Sequence, residues 1–277
     1  MAGGSDGADD ANGANDDPVL LAVDGGVATI TLNRPERRNA LSRELSTGLR
    51  AALDGAEDAD ARCVVIEGAG EAFSAGGDVD LMREALADDT DLDGRVRELE
   101  RTTSETMARL VEFPLPTVAK IDGPAVGAGA NLAIACDLQL ASERASIGFV
   151  FRQVGLSVDA GTSALLPRLV GENVAKELVF TGEIVDAERA RELGLVNRVY
   201  PADGFDARAD ELAERVASGP TVALRHAKRL LREGTEKSVR AAMVDEATAQ
   251  GVVFDSADHE EGVRAFFEGR EPAFEGR

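Results

Sequence analysis

Residues 122–131 read Asp-Gly-Pro-Ala-Val-Gly-Ala-Gly-Ala-Asn, a stretch of mostly small side chains. It follows an apolar run rich in β-branched residues, Thr117–Ile121, and precedes a predicted helix. The first N–H groups of a helix lack intrahelical partners, and negative charge is favoured beside them. Because glycine and alanine let a ligand approach the main chain closely, we expect a strand-to-helix turn whose amides bind a polarised oxygen.

A second stretch of the same kind lies upstream. Residues 72–78 read Ala-Phe-Ser-Ala-Gly-Gly-Asp, after the apolar run Cys63–Ile66 and before another predicted helix. Two such turns can hold one carbonyl oxygen between them, so together they predict a divided oxyanion hole. The alternative is a pair of tight strand-to-helix turns without chemistry.

Neither stretch is a nucleotide-binding loop. A P-loop ends in Gly-Lys-Ser/Thr, whereas Gly77 is followed by Asp78. A dinucleotide fingerprint needs the spacing G-x-G-x-x-G, which the stretch beginning at Gly127 does not continue. The glycines therefore favour an oxyanion site over a phosphate site.

Further ordered motifs accompany the two stretches: Leu32-Asn33-Arg34-Pro35, Asn39-Ala40-Leu41, Cys136-Asp137, Phe180-Thr181-Gly182, and Ala190 through Gly194-Leu195-Val196. With them the chain, from about Val19 to its C-terminus, resembles the crotonase (enoyl-CoA hydratase/isomerase) superfamily. The resemblance implies an α/β fold, the crotonase (ClpP-like) spiral of stacked ββα units with a helical C-terminal region. It also implies an enzyme of acyl-CoA thioesters in which the amides of Gly77 and Ala128 hold an enolate oxygen.

The chain departs from the hydratases of this family at two positions. They carry one glutamate where this chain has Asn131 and a second where it has Phe151. A hydratase needs groups that activate water and deliver a proton, and phenylalanine can do neither. Ordinary hydration is therefore disfavoured, although the Asn131 amide could position a water.

Asp159 is the candidate base. The stretch 155–163 resembles a subgroup with 1,2-epoxyphenylacetyl-CoA isomerase and some Δ3,Δ2-enoyl-CoA isomerases, in which an aspartate of a Pro-Asp-x-Gly-Gly motif moves a proton. Val158 replaces the usual proline here, and Thr162 replaces the second glycine. The structural alternative is that Asp159 caps a helix beginning near Ala160.

Three functions remain open at this point. The first is an enoyl-CoA isomerase in which Asp159 moves the proton, with its pKa raised by apolar neighbours such as Phe149. The second is a hydratase or related lyase in which Asn131 and Asp159 replace the missing glutamates. The third is a catalytically silent acyl-CoA-binding subunit.

CoA contacts are expected, by resemblance, on the backbone around Ala75, Gly77 and Asp78. The arginines that could meet its phosphates are Arg34, Arg37 and Arg38. A guanidinium group suits phosphate because it donates in a bidentate fork, and solvated surface charge is the alternative. CoA is part of the substrate, and no separate cofactor or metal is expected.

The composition restricts the partners. The 277 residues carry a net charge of −21 with a sequence pI of about 4.5. Such a charge argues against nucleic-acid binding and against adsorption to anionic membranes. Acid enrichment with only four lysines resembles the surfaces of salt-adapted cytoplasmic proteins, so we expect a halophilic source and a cytoplasmic location.

The chain divides into three regions. Residues 1–17 predict a disordered acidic tail without the apolar segment of a secretory signal, residues 18–200 the spiral core, and residues 201–277 a helical C-terminal trimerisation region. A homotrimer or hexamer is expected by resemblance. The acidic interval 82–100 predicts a mobile lid over the acyl site or, alternatively, a solvated loop.

Local patterns predict several elements. A hairpin is expected over Val19–Val23 and Val27–Leu32, and a helix after Ser42. Further strands are predicted at 64–67, 117–121, 138–141 and 196–199. Two cysteines, Cys63 and Cys136, are expected to be buried and reduced, and two histidines, His226 and His259, to have surface or packing roles.

Overall fold

The computed structural model describes residues 16–78, 83 and 91–277. The predicted tail 1–17 lies outside the described residues except for its last two positions. Most of the first half of the predicted lid, 82–100, also lies outside them.

The described chain begins with the predicted hairpin. Strands β1 (Val19–Asp24) and β2 (Val27–Leu32) pair antiparallel. Gly25 and Gly26, which connect them, have φ of 55° and 80°. Because a two-residue hairpin turn of this type needs positive φ at both positions, the Gly-Gly pair specifies the turn.

Seven further strands complete two sheets: β3 (Cys63–Gly68), β4 (Thr117–Ile121), β5 (Pro124–Val126), β6 (Leu138–Ser142), β7 (Ser146–Gly148), β8 (Ile184–Asp186) and β9 (Arg198–Tyr200). The main sheet has the order β1-β2-β3-β4-β6-β9 and is parallel from β2 onward. The small sheet has the order β5-β7-β8. The strands predicted at 64–67, 117–121, 138–141 and 196–199 are found as β3, β4, β6 and β9. Strand β9 begins at Arg198, two residues later than predicted.

The strand order distinguishes a spiral from a doubly wound sheet. A doubly wound sheet reverses its strand order at the middle, whereas here each new strand of the main sheet adds beside the previous one. Between β4 and β6 the chain visits the small sheet in β5, and between β6 and β9 it does so in β7 and β8. From β4 onward, each turn of the chain therefore contributes to both sheets.

Eleven α-helices are described: α1 (Arg43–Asp58), α2 (Leu92–Leu99), α3 (Glu105–Val111), α4 (Ala128–Ala135), α5 (Thr162–Val170), α6 (Glu172–Thr181), α7 (Ala187–Leu193), α8 (Phe205–Ala217), α9 (Thr221–Gly234), α10 (Val239–Val253) and α11 (Ala257–Glu268). Helix α1 begins as predicted, because the Leu45 N–H donates to the Ser42 side chain at 3.2 Å. A π-helical turn over Glu100–Ser104 joins α2 to α3. Among the described residues, none of the helices has both the length and the apolar character that a membrane span requires.

The core lies on both faces of the main sheet. Alternate residues along β3, such as Val64 and Ile66, join the large cluster that contains α1 and α4. Their neighbours Cys63 and Val65 face the opposite side, where Phe205 and the alanines of α8 cover the sheet. Burial on both faces is what a parallel sheet of apolar strands requires.

The C-terminal helices are tied to the sheet by Arg62, which precedes β3. Its guanidinium donates to the Thr221 hydroxyl at 2.9 Å, to the Gly219 carbonyl at 2.5 Å and to the Phe274 carbonyl at 3.0 Å. One residue of the core region thus holds both ends of the α9–α11 segment.

Candidate active site

The two small-residue stretches lie side by side. The Ser74 N–H donates to the Pro124 carbonyl at 3.1 Å, and the Val126 N–H donates to the Ser74 carbonyl at 3.0 Å. A Cβ placed on Gly76 would lie 2.6 Å from the Val126 carbonyl oxygen and 3.5 Å from the Ala128 nitrogen. The first turn therefore passes directly beside the start of α4, and a side chain at Gly76 would separate them.

The amides of Gly77 and Ala128 are available at this junction. Ala128 is the first residue of α4, after Gly127 at φ 56° and ψ −121°. Among the backbone hydrogen bonds of the described ranges, neither the Gly77 nor the Ala128 N–H donates. The structure thus brings together the two predicted oxyanion donors, whose role remains a prediction.

Residues 38–41 hold the first turn in place. The Ala75 N–H donates to the Arg38 carbonyl at 2.9 Å, and the Leu41 N–H donates to the Gly76 carbonyl at 2.7 Å. The orientation of the Gly76–Gly77 peptide is therefore fixed from outside the turn.

Asn39 is a structural residue of this site that the sequence analysis quoted only as part of a motif. Its fully buried side chain accepts from the Arg34 N–H at 2.9 Å and donates to the carbonyls of Ala69 and Ala72 at 2.9 and 2.8 Å. Its own carbonyl accepts from the Ser74 hydroxyl at 2.8 Å. Asn39 has a φ of 55°, which asparagine tolerates better than most residues, so the asparagine itself was the signal that the sequence offered.

Asp159 lies against Asn131. The Asn131 Nδ2 donates to a carboxylate oxygen of Asp159 at 3.3 Å and to its main-chain carbonyl at 3.2 Å. Asn131 is fully buried and follows Ala128 by three residues, a rise of about 4.5 Å along the helix. The candidate base is thus within about one helical turn of a candidate oxyanion amide.

The environment shifts the acidity of Asp159. Burial among surrounding protein atoms raises the pKa of its carboxyl above the ordinary 3.8, and the hydrogen bonds from Asn131 and from its own backbone partly oppose this. The residue still keeps an exposed edge. The carboxylate can therefore meet a substrate while remaining partly desolvated.

The alternative that Asp159 caps a helix is wrong. Helix α5 begins at Thr162 rather than near Ala160, its N-cap is Gly161, and no side chain caps it. Ala160 and Gly161 both have positive φ, 47° and 87°. These left-handed residues turn the Asp159 side chain out of capping geometry and leave only its carbonyl to accept from the Thr162 N–H, at 2.9 Å.

An apolar side chain, that of Phe151, occupies one of the two positions at which hydratases of the family carry a glutamate. Phe151, at one of the family's glutamate positions, is buried in a short 3-10 helix over residues 151–154. Phe149 is also buried. Asn131 occupies the other glutamate position, on α4, and its side chain contacts the Asp159 carboxylate.

The predicted CoA contacts are spread along one edge of the first turn. Ala75 is exposed, and Asp78 is buried in an ion pair with Arg37 at 3.0 Å. The Arg34 guanidinium donates to the carbonyls of Asn33 and Asp16 at 2.8 and 2.7 Å. Arg38 is exposed beside them, with φ of 49°.

The cysteines and histidines lie apart from this chemistry. Cys63 and Cys136 are buried free thiols, as predicted, and burial raises the pKa of Cys63 to about 12. His226 lies on α9 and His259 on α11, the latter with its ring 5.1 Å from that of Phe254.

Comparison with known proteins agrees with this geometry. The sequence profile of the enoyl-CoA hydratase/isomerase family matches residues 22–277. A Thermus thermophilus relative that bears an enoyl-CoA hydratase name is 42% identical over 257 residues, covering 90% of this chain and 98% of its own. The 1,2-epoxyphenylacetyl-CoA isomerase of Escherichia coli is 34% identical over 261 residues, covering 94% and 98%.

Solved structures extend the agreement to the fold. The crystal structure of an enoyl-CoA hydratase from Bacillus anthracis superimposes with a TM-score of 0.86 at 34% identity, covering 94% of this chain and all of that one. The fold is therefore the crotonase spiral with a helical C-terminal region, as the sequence resemblance implied. From the sequence motifs, the strand order and these relatives together, the chain belongs to the enoyl-CoA hydratase/isomerase family of enzymes.

Proposed function

We propose that the protein is an enoyl-CoA isomerase that moves a double bond by one position. The Asp159 carboxylate removes a proton from the carbon α to the thioester carbonyl, and the amides of Gly77 and Ala128 hold the resulting enolate oxygen. Protonated Asp159 then returns the proton to the γ-carbon. A 3-enoyl thioester becomes a 2-enoyl thioester with no net change in atoms or charge.

The contact between Asp159 and Asn131 carries this proposal. It sets one carboxylate beside α4, the helix whose first amide is a candidate oxyanion donor. A single base that both removes and returns a proton suits an isomerisation. The raised pKa of Asp159 supports the same role, because a carboxylate with a higher pKa is a stronger base.

Hydration is the second candidate, because the Thermus thermophilus relative bears a hydratase name. Adding water to a 2-enoyl thioester requires groups that hold and activate the water. The Asn131 Nδ2 already donates to Asp159, with the carboxylate at 3.3 Å and the main-chain carbonyl at 3.2 Å. An amide nitrogen engaged with the candidate base is less suited to holding a water, which supports isomerisation.

CoA binding is proposed along the exposed edge of the first turn. The amide of Ala75 is used by Arg38, so its carbonyl oxygen is the group left for the pantetheine or adenine end. Arg38 suits the phosphates better than Arg34, whose guanidinium is already engaged with main-chain carbonyls. Gly77 and Asp78 complete the proposed contacts.

A cytoplasmic homotrimer or dimer of trimers is proposed for the assembled enzyme. Two buried, reduced thiols fit a reducing compartment. Helices α10 and α11 expose large apolar side chains that a second copy of the chain would cover: Met243, Val244, Val252, Val263, Phe266 and Phe267. An isomerase of fatty-acid or aromatic catabolism fits this class of substrate.

The deciding experiment assays 3-enoyl-CoA isomerisation and 2-enoyl-CoA hydration side by side in high salt. Asp159→Asn should lower isomerisation by about 10²- to 10⁴-fold while thioester binding persists. Asp210→Asn, an exposed carboxylate change on α8, is the matched control and should leave both rates unchanged.

Each alternative gives a different result. Strong hydration that survives Asp159→Asn would mean that water is activated elsewhere. A parent protein that binds the thioester yet turns over neither substrate would instead be the silent binding subunit.

A further inference from the structure

The Asn131 amide has only one orientation that suits ionised Asp159. The side facing Asp159 meets two acceptors, the carboxylate oxygen and the main-chain carbonyl. Two acceptors require the NH₂ end of the amide, so Oδ1 must face the other way. The residue is fully buried, and a buried amide oxygen without a donor is costly.

Thr162 supplies that donor. Its hydroxyl lies 2.6 Å from Asn131 Oδ1 and 2.7 Å from the Asp159 carbonyl, and the residue is buried. A hydroxyl has one proton, and the Asp159 carbonyl already accepts from the Thr162 N–H and from Asn131 Nδ2. The proton is therefore best used on Asn131 Oδ1, the shorter of the two contacts.

We propose that Thr162 is a positioning residue: its hydroxyl fixes the Asn131 amide so that Nδ2 holds the Asp159 carboxylate beside the Ala128 amide. The catalytic consequence rests on the proposed role of Asp159 as the base. The arrangement itself, in which three side chains from α4, the 159–161 turn and α5 orient one another, does not depend on that role.

This chain of contacts decides how readily Asp159 ionises. A donor to the carboxylate favours its charged form, whereas burial favours the neutral form. Among the described residues no charged side chain contributes to the acidity of Asp159; the groups that do are the Asn131 amide and the backbone of Asp159 itself. Loss of the Thr162 hydroxyl would free the Asn131 amide to rotate and would raise the pKa of Asp159.

Two variants separate the hydroxyl from the packing. Thr162→Val keeps the shape and removes the hydroxyl, and Thr162→Ser keeps the hydroxyl and removes a methyl group. Thr248→Val is the matched control, because the hydroxyl of Thr248 donates to the Val244 carbonyl on α10 at 2.9 Å.

The first readout is the carboxyl titration of Asp159, followed by NMR of ¹³C-labelled aspartate and assigned by the signal lost in Asp159→Asn. Thr162→Val should move the midpoint upward by about one pH unit, the effect of losing about one charge-assisted hydrogen bond. Thr162→Ser and Thr248→Val should keep the parental midpoint. An unchanged midpoint in Thr162→Val would overturn the proposal.

The second readout is the pH profile of isomerisation. In Thr162→Val, kcat should fall about tenfold at pH values below the parental midpoint and approach the parental value above the shifted midpoint, while KM should stay within about twofold. Equal losses in the valine and serine variants with an unmoved acid limb would show a packing role and contradict the inference. A shifted NMR midpoint in a protein without isomerase activity would instead contradict only the proposed function.

Discussion

Asp159 shows how a single carboxylate can be both exposed and hard to ionise. Its edge reaches solvent, yet surrounding protein raises its pKa and only the amide of Asn131 and its own backbone oppose the shift. Because the folded pKa lies above the unfolded one, the folded state holds the proton more tightly. This carboxylate's contribution to stability is therefore favourable at low pH and is lost as pH rises through the interval above 3.8.

The pH dependence of isomerisation follows from the same carboxylate. The proposed mechanism requires ionised Asp159, so log kcat should rise with a slope near one as pH increases and level off above a midpoint higher than 3.8. Rates measured across this range with a single saturating 3-enoyl-CoA would check it. A midpoint at or below the ordinary value would remove the desolvated Asp159 from the mechanism.

Gly76 tests the shape of the oxyanion junction. Gly76→Ala places a Cβ 2.6 Å from the Val126 carbonyl oxygen and adds strain at φ 101°. We expect kcat to fall by at least tenfold, because the loss of one oxyanion donor typically costs about 3 kcal/mol of transition-state stabilisation. Gly155→Ala is the control, since Gly155 has φ 71° but nothing within 4 Å of its Cβ. Similar kcat values for the two variants would show that the contact with Val126 is unimportant.

Among the helices and strands, the sequence predicted those whose formation depends on neighbouring residues. The Gly-Gly turn and the Ser42 cap specify their hairpin and helix through neighbouring residues alone. The order of strands in the spiral depends on pairings between distant segments, which periodicity does not record. The contact of Thr162 with Asn131 is of the same kind: it joins two helices, and the sequence showed only that a threonine replaces a glycine.

Arg62 is one of the side chains that attach the C-terminal helices to the rest of the fold, together with Lys228 and Arg232 of α9, which donate to the Leu115 and Val111 carbonyls at 2.9 and 3.1 Å. Arg62→Met keeps the length of the stem but removes three hydrogen bonds, to Gly219, Thr221 and Phe274. We expect a loss of about 2 kcal/mol of stability and faster amide exchange in α9 and the C-terminal end.

Hydrogen exchange by mass spectrometry would measure the effect of this change. Arg208→Met, which removes an exposed i,i+3 ion pair with Glu211, is the control and should change stability by less than about 0.5 kcal/mol. Parental exchange rates in Arg62→Met would contradict the assigned attachment.

At the scale of the whole molecule, the net charge affects both stability and association. With a net charge of −21, the acidic side chains of one chain repel one another, which destabilises the folded state. The same repulsion acts between copies of the chain and opposes their association through α10 and α11. Salt screens exposed charges over about 10 Å at 0.1 M and about 3 Å at 1 M.

Stability and assembly should therefore both depend on salt. The melting temperature should rise, and the mass measured by light scattering should approach a trimer or hexamer, as potassium chloride is increased to molar concentration. Activity and melting temperature that do not change when molar salt is removed would contradict the halophilic interpretation.

The hydrogen bond from the Gly127 N–H to the Gly148 carbonyl, at 2.8 Å, extends the pairing of β5 with β7 and fixes the Val126–Gly127 peptide, next to the one that carries the Ala128 N–H. Together with the contact of Asn131 with Asp159, it makes the site depend on chain that is synthesised well after the glycines themselves. The candidate site can therefore be completed only once the chain through Asp159 has been synthesised.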